Sequence, residues 1–223
     1  MHGQVATPEK LLLERWGEAL STRQFLAKHV TLDALIDTLA PAAERSFQRL
    51  IQALFREGLL NPTTRTYDEH NRCWLELPDH TRLCFDHLRP GRMASWDLRG
   101  TVSVLRAGQP EQKIRFPSQL LTLLNSSHES SAAPDVLSRL NREIDDSFIN
   151  DTLCLAFHEQ WTLELHAAMA PAHQNNLLSY LKNNPSVSNP TSVLEQWGTL
   201  GHPWHPNYKT KLGLGTELSL IHI

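Results

Sequence analysis

Up to Gly58 the apolar positions recur at helical spacing. Leu12, Trp16 and Leu20 lie four apart, and Pro8 suits a first helical turn, where its missing N–H costs nothing. Phe47, Leu50, Ile51, Leu54 and Phe55 follow i, i+3, i+4, i+7, i+8, a stripe that needs a core to cover it. Gly58 supplies the left-handed stop. The unit this predicts is a helical hairpin with Pro41 near its junction. From Arg72 to about Arg115 the period changes. Trp74, Leu75, Leu77, Leu83, Cys84, Phe85, Trp96, Leu98, Val102, Val104 and Ile114 come in short bursts between turn signals such as Pro78-Asp79 and Pro90-Gly91, which predicts short antiparallel strands. Pro117 to Leu124 reads as a short helix, and the serine-rich run from Asn125 to Pro134 as a linker. Helices resume at Asp135 with Leu137, Leu140 and Ile144, and continue through Leu153, Phe157, Trp161 and Leu165 until Pro171 stops them. Leu177, Leu178 and Leu181 mark a further short helix before Asn183-Asn184-Pro185. Ser192 and Glu195 form an S-x-x-E capping box, opening a helix that Gly198 closes. The fold class expected is α+β: a helical amino-terminal region, a small antiparallel sheet, then helices.

Composition narrows the function classes. The chain of 223 residues is 40% hydrophobic and 20% charged, values of a globular protein. A formal charge of -3 argues against a nucleic-acid partner, which calls for a basic excess. No run approaches the roughly 20 apolar residues of a membrane span, and Met1 to Lys10 lacks a secretory profile. Cys73, Cys84 and Cys154 have no C-x-x-C spacing, so neither a disulfide framework nor a zinc knuckle is indicated. Reduced cytoplasm is the expected location. The sequence contains no Walker loop, no G-x-G-x-x-G after a strand and no H-E-x-x-H. Most of the twelve histidines are scattered, and His158 and His166 are too far apart for one simple chelate. Asp68, Glu69, Asp86, Asp97, Arg89, Arg92 and Arg99 surround the strands; a carboxylate pair for acid–base work is one reading of them, and solvated turn charges are the simpler one.

One segment needs more than a structural explanation. Gly201-His202-Pro203-Trp204-His205-Pro206-Asn207-Tyr208-Lys209-Thr210-Lys211-Leu212-Gly213 carries two His-Pro pairs and two lysines between glycines. Each proline restrains the residue before it toward extended conformations. A polyproline path repeats every three residues, placing His202 and His205 on one side. An extended continuation puts Lys209 and Lys211 on a common side too. Such a strip is suited to a polyanion. Two alternatives stand beside that reading. A zinc site is one, although the polyproline rise separates the two histidine Cα atoms by roughly 9 Å and no third ligand is near. A loop shaped by proline, with Trp204 and Tyr208 packing, is the other.

The run Glu195-Gln196, then Gly201-His202-Pro203-x-His205-Pro206-x-x-Lys209-x-Lys211-x-Gly213, resembles the signature of the IucA/IucC family of siderophore synthetases. Glu44-Arg45-Ser46-Phe47-Gln48-Arg49-Leu50 through Gly58, and Leu140-x-x-Glu143-Ile144-x-x-Ser147-x-x-Asn150, are similar to the family's amino-terminal region. The resemblance implies ATP with Mg2+ as cosubstrate and adenylation of citrate or a related dicarboxylic acid. An amine or hydroxyl then attacks, giving an amide or ester. It implies phosphate binding by Gly201, His202, Pro203, His205, Pro206, Lys209, Lys211 and Gly213, and a homodimer in the intact enzyme. Lys211 stands where the family more often has arginine, which keeps the charge but loses bidentate geometry. No catalytic residue and no bound structural metal is assigned. On this reading residues 1–130 form a helical plus sheet domain, and 131–217 begin the ATP-binding synthetase domain. Residues 218–223 look like a translated sequencing adaptor, with native sequence expected to stop near Thr216 or Glu217. The chain is then a fragment, expected to be inactive alone. The rivals are a non-catalytic helical binding or adaptor module and, third, a zinc hydrolase.

Overall fold

A computed structural model describes residues 7–21, 29–91, 95–127, 132–169 and 177–185, with positions 187, 189–190 and 193–194. The fold is α+β. Helices α1 (Pro8–Ser21) and α2 (Leu32–Arg56) precede a 3-10 turn, Pro62–Thr64. Five strands follow: β1 (Thr66–Tyr67), β2 (Cys73–Glu76), β3 (Arg82–Pro90), β4 (Trp96–Leu105) and β5 (Gln112–Lys113). Helices α3 (Pro117–Ser127), α4 (Pro134–Met169) and α5 (Leu177–Asn183) complete the described elements. The strands form one antiparallel sheet in the order β1-β2-β3-β4-β5. The chain divides into two compact units, with boundaries after Ala42 and after Phe148.

Residues 43–148 form the sheet-bearing unit. Its core joins Phe47, Leu50, Ile51 and Leu54 from α2 to Leu75, Leu83, Phe85, Val102 and Val104 from the sheet, and to Leu120 and Leu124 from α3. The stripe expected from helical spacing is therefore the buried face of α2. That helix ends as Gly58 dictates. With φ at 72°, Gly58 donates its N–H to Phe55 O at 3.2 Å and Leu59 donates to Leu54 O at 2.9 Å, the paired bonds of a Schellman stop.

The polar residues of α2 also have a task. Gln48 and Gln52 donate Nε2 to Trp96 O at 3.4 and 3.1 Å, and Glu44 Oε2 accepts the Gly100 N–H at 2.6 Å. Helix side chains thus satisfy the margin of β4 where β5 does not reach. Trp96 stacks on Phe55 with centroids 4.3 Å apart, fixing the same contact from the apolar side. Opposite this margin the β3–β4 register slips between Phe85 and His87. One residue of β3, Asp86, faces two of β4, Gly100 and Thr101, which is a β-bulge. Gly100 takes φ 78°, and Asp86 Oδ2 accepts both the N–H and the hydroxyl of Thr101 at 2.7 Å.

The other unit contains residues 1–42 and most of the chain from Ile149 onward. Its buried side chains include Leu12, Leu35, Ala42, Leu153, Phe157, Trp161 and Leu181. Phe157 and Trp161 stack with centroids 5.5 Å apart. Thr38, also buried, gives its hydroxyl to Ala34 O at 2.9 Å.

Two expectations need correction. Pro41 does not mark a junction; it lies inside α2. The helix start lies instead at Leu32, capped by Thr31, whose Oγ1 accepts the Ala34 N–H at 3.2 Å. Pro41 sits on an exposed position, so its ring meets solvent on a helix whose buried side, Ala34, Leu35, Thr38 and Ala42, continues past it. Burial of that side offsets the roughly 3 kcal/mol penalty of an interior proline. The serine-rich linker is shorter than expected, because α3 runs on through Ser127. Ser126 and Ser127 both donate their hydroxyls to Leu123 O at 2.8 Å, which turns linker-type residues into a helix end. Residues 128–131 of that run lie outside the described residues, as do Pro171, Ser192, Glu195 and Gly198.

Candidate functional site

The phosphate-binding candidates Gly201, His202, Pro203, His205, Pro206, Lys209, Lys211 and Gly213 lie outside the described residues, as does the tail 218–223. The chemistry that the described residues do bring together is concentrated in the sheet-bearing unit.

On the outer face of the sheet, Asp68 is a hub. It accepts the Trp74 indole N–H at 3.1 Å, the Arg72 Nε–H at 2.9 Å and the main-chain N–H of Arg72 and His70 at 2.9 and 3.0 Å. Partial burial pushes its carboxyl up, but the bonds from Trp74 and Arg72 together outweigh that and hold it at about 2. Arg72 also reaches Glu111 Oε2 at 3.2 Å, and Glu111 accepts the Ser103 hydroxyl. The Trp74 ring lies between the guanidinium groups of Arg72, 5.1 Å from its centroid, and Arg82, 4.6 Å away. Asp68, Trp74, Arg72, Glu111 and Ser103 are bonded to one another in a chain, so the cluster acts as a clasp over the sheet rather than as an acid–base pair. Asp68 was expected to be a solvated turn charge and is wired in; Glu69, with its side chain 86% exposed, fits that expectation. Asp97 pairs with Arg99 at 3.1 Å and His87 at 3.4 Å. Asp86 is the bulge cap described above.

One strongly displaced carboxyl was invisible to sequence reasoning. Helix α3 begins without a polar capping residue, since Phe116 precedes Pro117. Gln119 Oε1 turns back to accept the N–H of Arg115 and Phe116 at 2.8 and 3.1 Å. Asp145, from α4, accepts the Ser118 N–H at 3.3 Å and its hydroxyl at 2.6 Å, providing the missing cap. Burial pushes the Asp145 carboxyl up to about 6; the Ser118 bonds oppose the rise and the Asp146 charge adds to it. The signal that could have found it is local: a helix opening on Phe-Pro-Ser needs an acceptor from elsewhere.

Of the family-like helical positions, Ile144, Ser147 and Asn150 are buried, and Glu143 lies 3.9 Å from Arg139. The three cysteines are buried and form no disulfide, and burial raises the Cys84 thiol to about 11, so it is poorly nucleophilic. Among the described residues no group of three or more His, Cys, Asp or Glu side chains is placed to hold a metal ion, and no helix is long and apolar enough to cross a membrane. Two open grooves mark the sheet-bearing unit. One of about 510 Å³ lies by Leu60, Asn61, Leu77 and His80. The other, about 320 Å³, runs between β5 and α3.

No family model matches the sequence. An uncharacterized protein of Sinorhizobium fredii, y4xN, is 32% identical over 182 residues, covering 80% of this chain and 29% of that protein. The chain therefore spans less than a third of the curated relative it matches. Among solved structures, the petrobactin biosynthesis protein AsbB of Bacillus anthracis aligns with 81% of this chain and 26% of its own, at 15% identity and a TM-score of 0.47. A likeness at that score does not establish a shared fold. In both comparisons the shared stretch is a minority of a longer protein.

Proposed function

We propose that this chain is the opening part of an ATP-dependent siderophore synthetase, which adenylates a citrate-like carboxylate and passes the acyl group to an amine or hydroxyl. One observation carries the reading: the spacing of Gly201, His202, Pro203, His205, Pro206, Lys209, Lys211 and Gly213. Displacement of pyrophosphate concentrates negative charge, and cationic donors held in place before reaction stabilise that charge more than water does. In this role Lys209 supplies a point charge, Lys211 a second, and an imidazole from His202 or His205 donates to a phosphate oxygen. Mg-ATP, the carboxylic acid and the nucleophile are the small-molecule partners, and a homodimer and a cytoplasmic location accompany the proposal.

The test is carboxylate-dependent ATP–pyrophosphate exchange by the full-length protein that contains this chain. Lys209→Ala should cost roughly 2–4 kcal/mol of transition-state stabilisation, the worth of one such electrostatic donor. Exchange at the parent rate in that variant, or no exchange with any di- or tricarboxylic acid, would remove the basis of the reading.

A further inference from the structure

Among the described residues no strand pairs with β5 on the side away from β4. β5 pairs with β4 at Ser103↔Lys113 and Val104↔Gln112, and Ile114 donates its N–H to Val102 O at 2.8 Å. Bonded and non-bonded pairs alternate along an antiparallel ladder. The Val102–Ile114 bond therefore makes Ser103–Lys113 a non-bonded pair, and both main-chain groups of Lys113 point away from β4. They face the groove of about 320 Å³ between β5 and α3. Val104 and Leu123 give it an apolar floor, and Arg106, Gln112, Lys113 and Gln119 line it. Among the described residues two cations, Arg106 and Lys113, border this groove and no aspartate or glutamate does. Glu111, two residues from Lys113, is bonded to Arg72 and Ser103, and Asp145 is bonded to Ser118, which itself lines the groove.

We propose that this groove takes an extended acidic peptide segment, which adds to the sheet as a further strand against β5. The main-chain N–H and C=O of Lys113 supply the pairing bonds, and alternate side chains of the incoming strand enter the groove. Lys113 stands opposite Ser103 on the outer face. Carboxylates at the outward positions of that strand therefore meet it, while the intervening apolar side chains enter the groove toward Val104 and Leu123. Charge then sets the orientation and selects the partner. A short edge strand bearing lysine discourages pairing with neutral strands, which leaves an acidic one as the segment admitted. A small free anion is a poorer fit, because Arg106 and Lys113 are exposed and screened charges alone would hold it. The proposal is independent of the nucleotide reading.

The test uses fluorescein-labelled octapeptides in which glutamate alternates with valine or threonine, beside the same peptides with glutamine. Binding is followed by anisotropy and by amide shifts in the nitrogen-15-labelled full chain. The glutamate peptides should bind and shift Lys113, Ile114 and Thr122, and the glutamine versions should bind at least about tenfold more weakly. Lys113→Ala should weaken binding about two- to fivefold, as an exposed charge does. Lys113→Pro removes the outward N–H without breaking a ladder bond, and should weaken it by about tenfold or more. N-methylation of alternate peptide bonds reads the same contact from the ligand side, so the result stands if the proline variant misfolds. Equal affinity for glutamate and glutamine peptides, indifference to N-methylation, shifts located elsewhere, or no binding at millimolar peptide would each overturn the proposal. Full competition by citrate together with indifference to N-methylation would identify a small-anion site instead, and overturn it too.

Discussion

Two carboxyls in the sheet-bearing unit are displaced in opposite directions, and each has a predictable effect on stability. Asp68 is held at about 2 against an ordinary 3.8. Its contribution is present above about pH 4 and is lost as pH falls toward 2. Asp145 is raised from 3.8 to about 6, so folding favours its neutral form. Its contribution is complete below about pH 4 and is lost as pH rises through 6, up to about 3 kcal/mol in all. The sum predicts that these two groups favour the fold most near pH 4. Asp145→Asn keeps an acceptor for the Ser118 N–H and removes the ionisation. Urea unfolding of this variant should show a flatter dependence between about pH 4 and 6 than the parent; an unchanged slope would mean that another group titrates there. Neither residue stood out in the sequence. Asp68 looks like any turn aspartate until Trp74 and Arg72 converge on it, and Asp145 gains its role from a helix start 27 residues away.

At the scale of elements the apolar pattern carried further. The stripe from Phe47 to Phe55, the stop at Gly58, the burst of strands after Arg72 and the helix at Pro117 are all readable, because each is set by period or by backbone chemistry within a few residues. Pro41 misled because its local cost is real, while the burial that offsets it comes from distant parts of the chain. The bulge at Asp86 was hidden for a similar reason: it is a property of a pair of strands. It makes a sharp prediction. A methyl group at position 100 would sit 2.8 Å from Asp86 Oδ2 and 2.9 Å from its Cβ, at a φ of 78°. Gly100→Ala should therefore cost more than the about 1–2 kcal/mol of the left-handed conformation alone. Gly108→Ala is the control, since φ there is 72° with nothing within 4 Å of the added carbon; it should show only the conformational cost. Equal losses in denaturant titrations would show that Asp86 moves aside freely. The α2 glutamines that satisfy Trp96 O also lay beyond the sequence, although the segment holding them was singled out for its resemblance.

For the molecule as a whole, the sheet and its core explain themselves, whereas the strip from Gly201 to Gly213 rests on residue pattern alone. Its legibility came from prolines that restrain neighbours without tertiary help. The same independence means that the folded core contributes nothing to judging it, and activity of the full-length protein is the deciding measurement. The buried thiols offer another use. Cys73 and Cys84 belong to the sheet-bearing unit and Cys154 to the other, so an alkylating reagent meets each only when its own unit opens. Mass-resolved labelling under native conditions would time those openings separately, without any added probe. Matching rates at all three positions would reveal a molecule that unfolds as one, and a lag between Cys154 and the other two would rank the units by their resistance to opening.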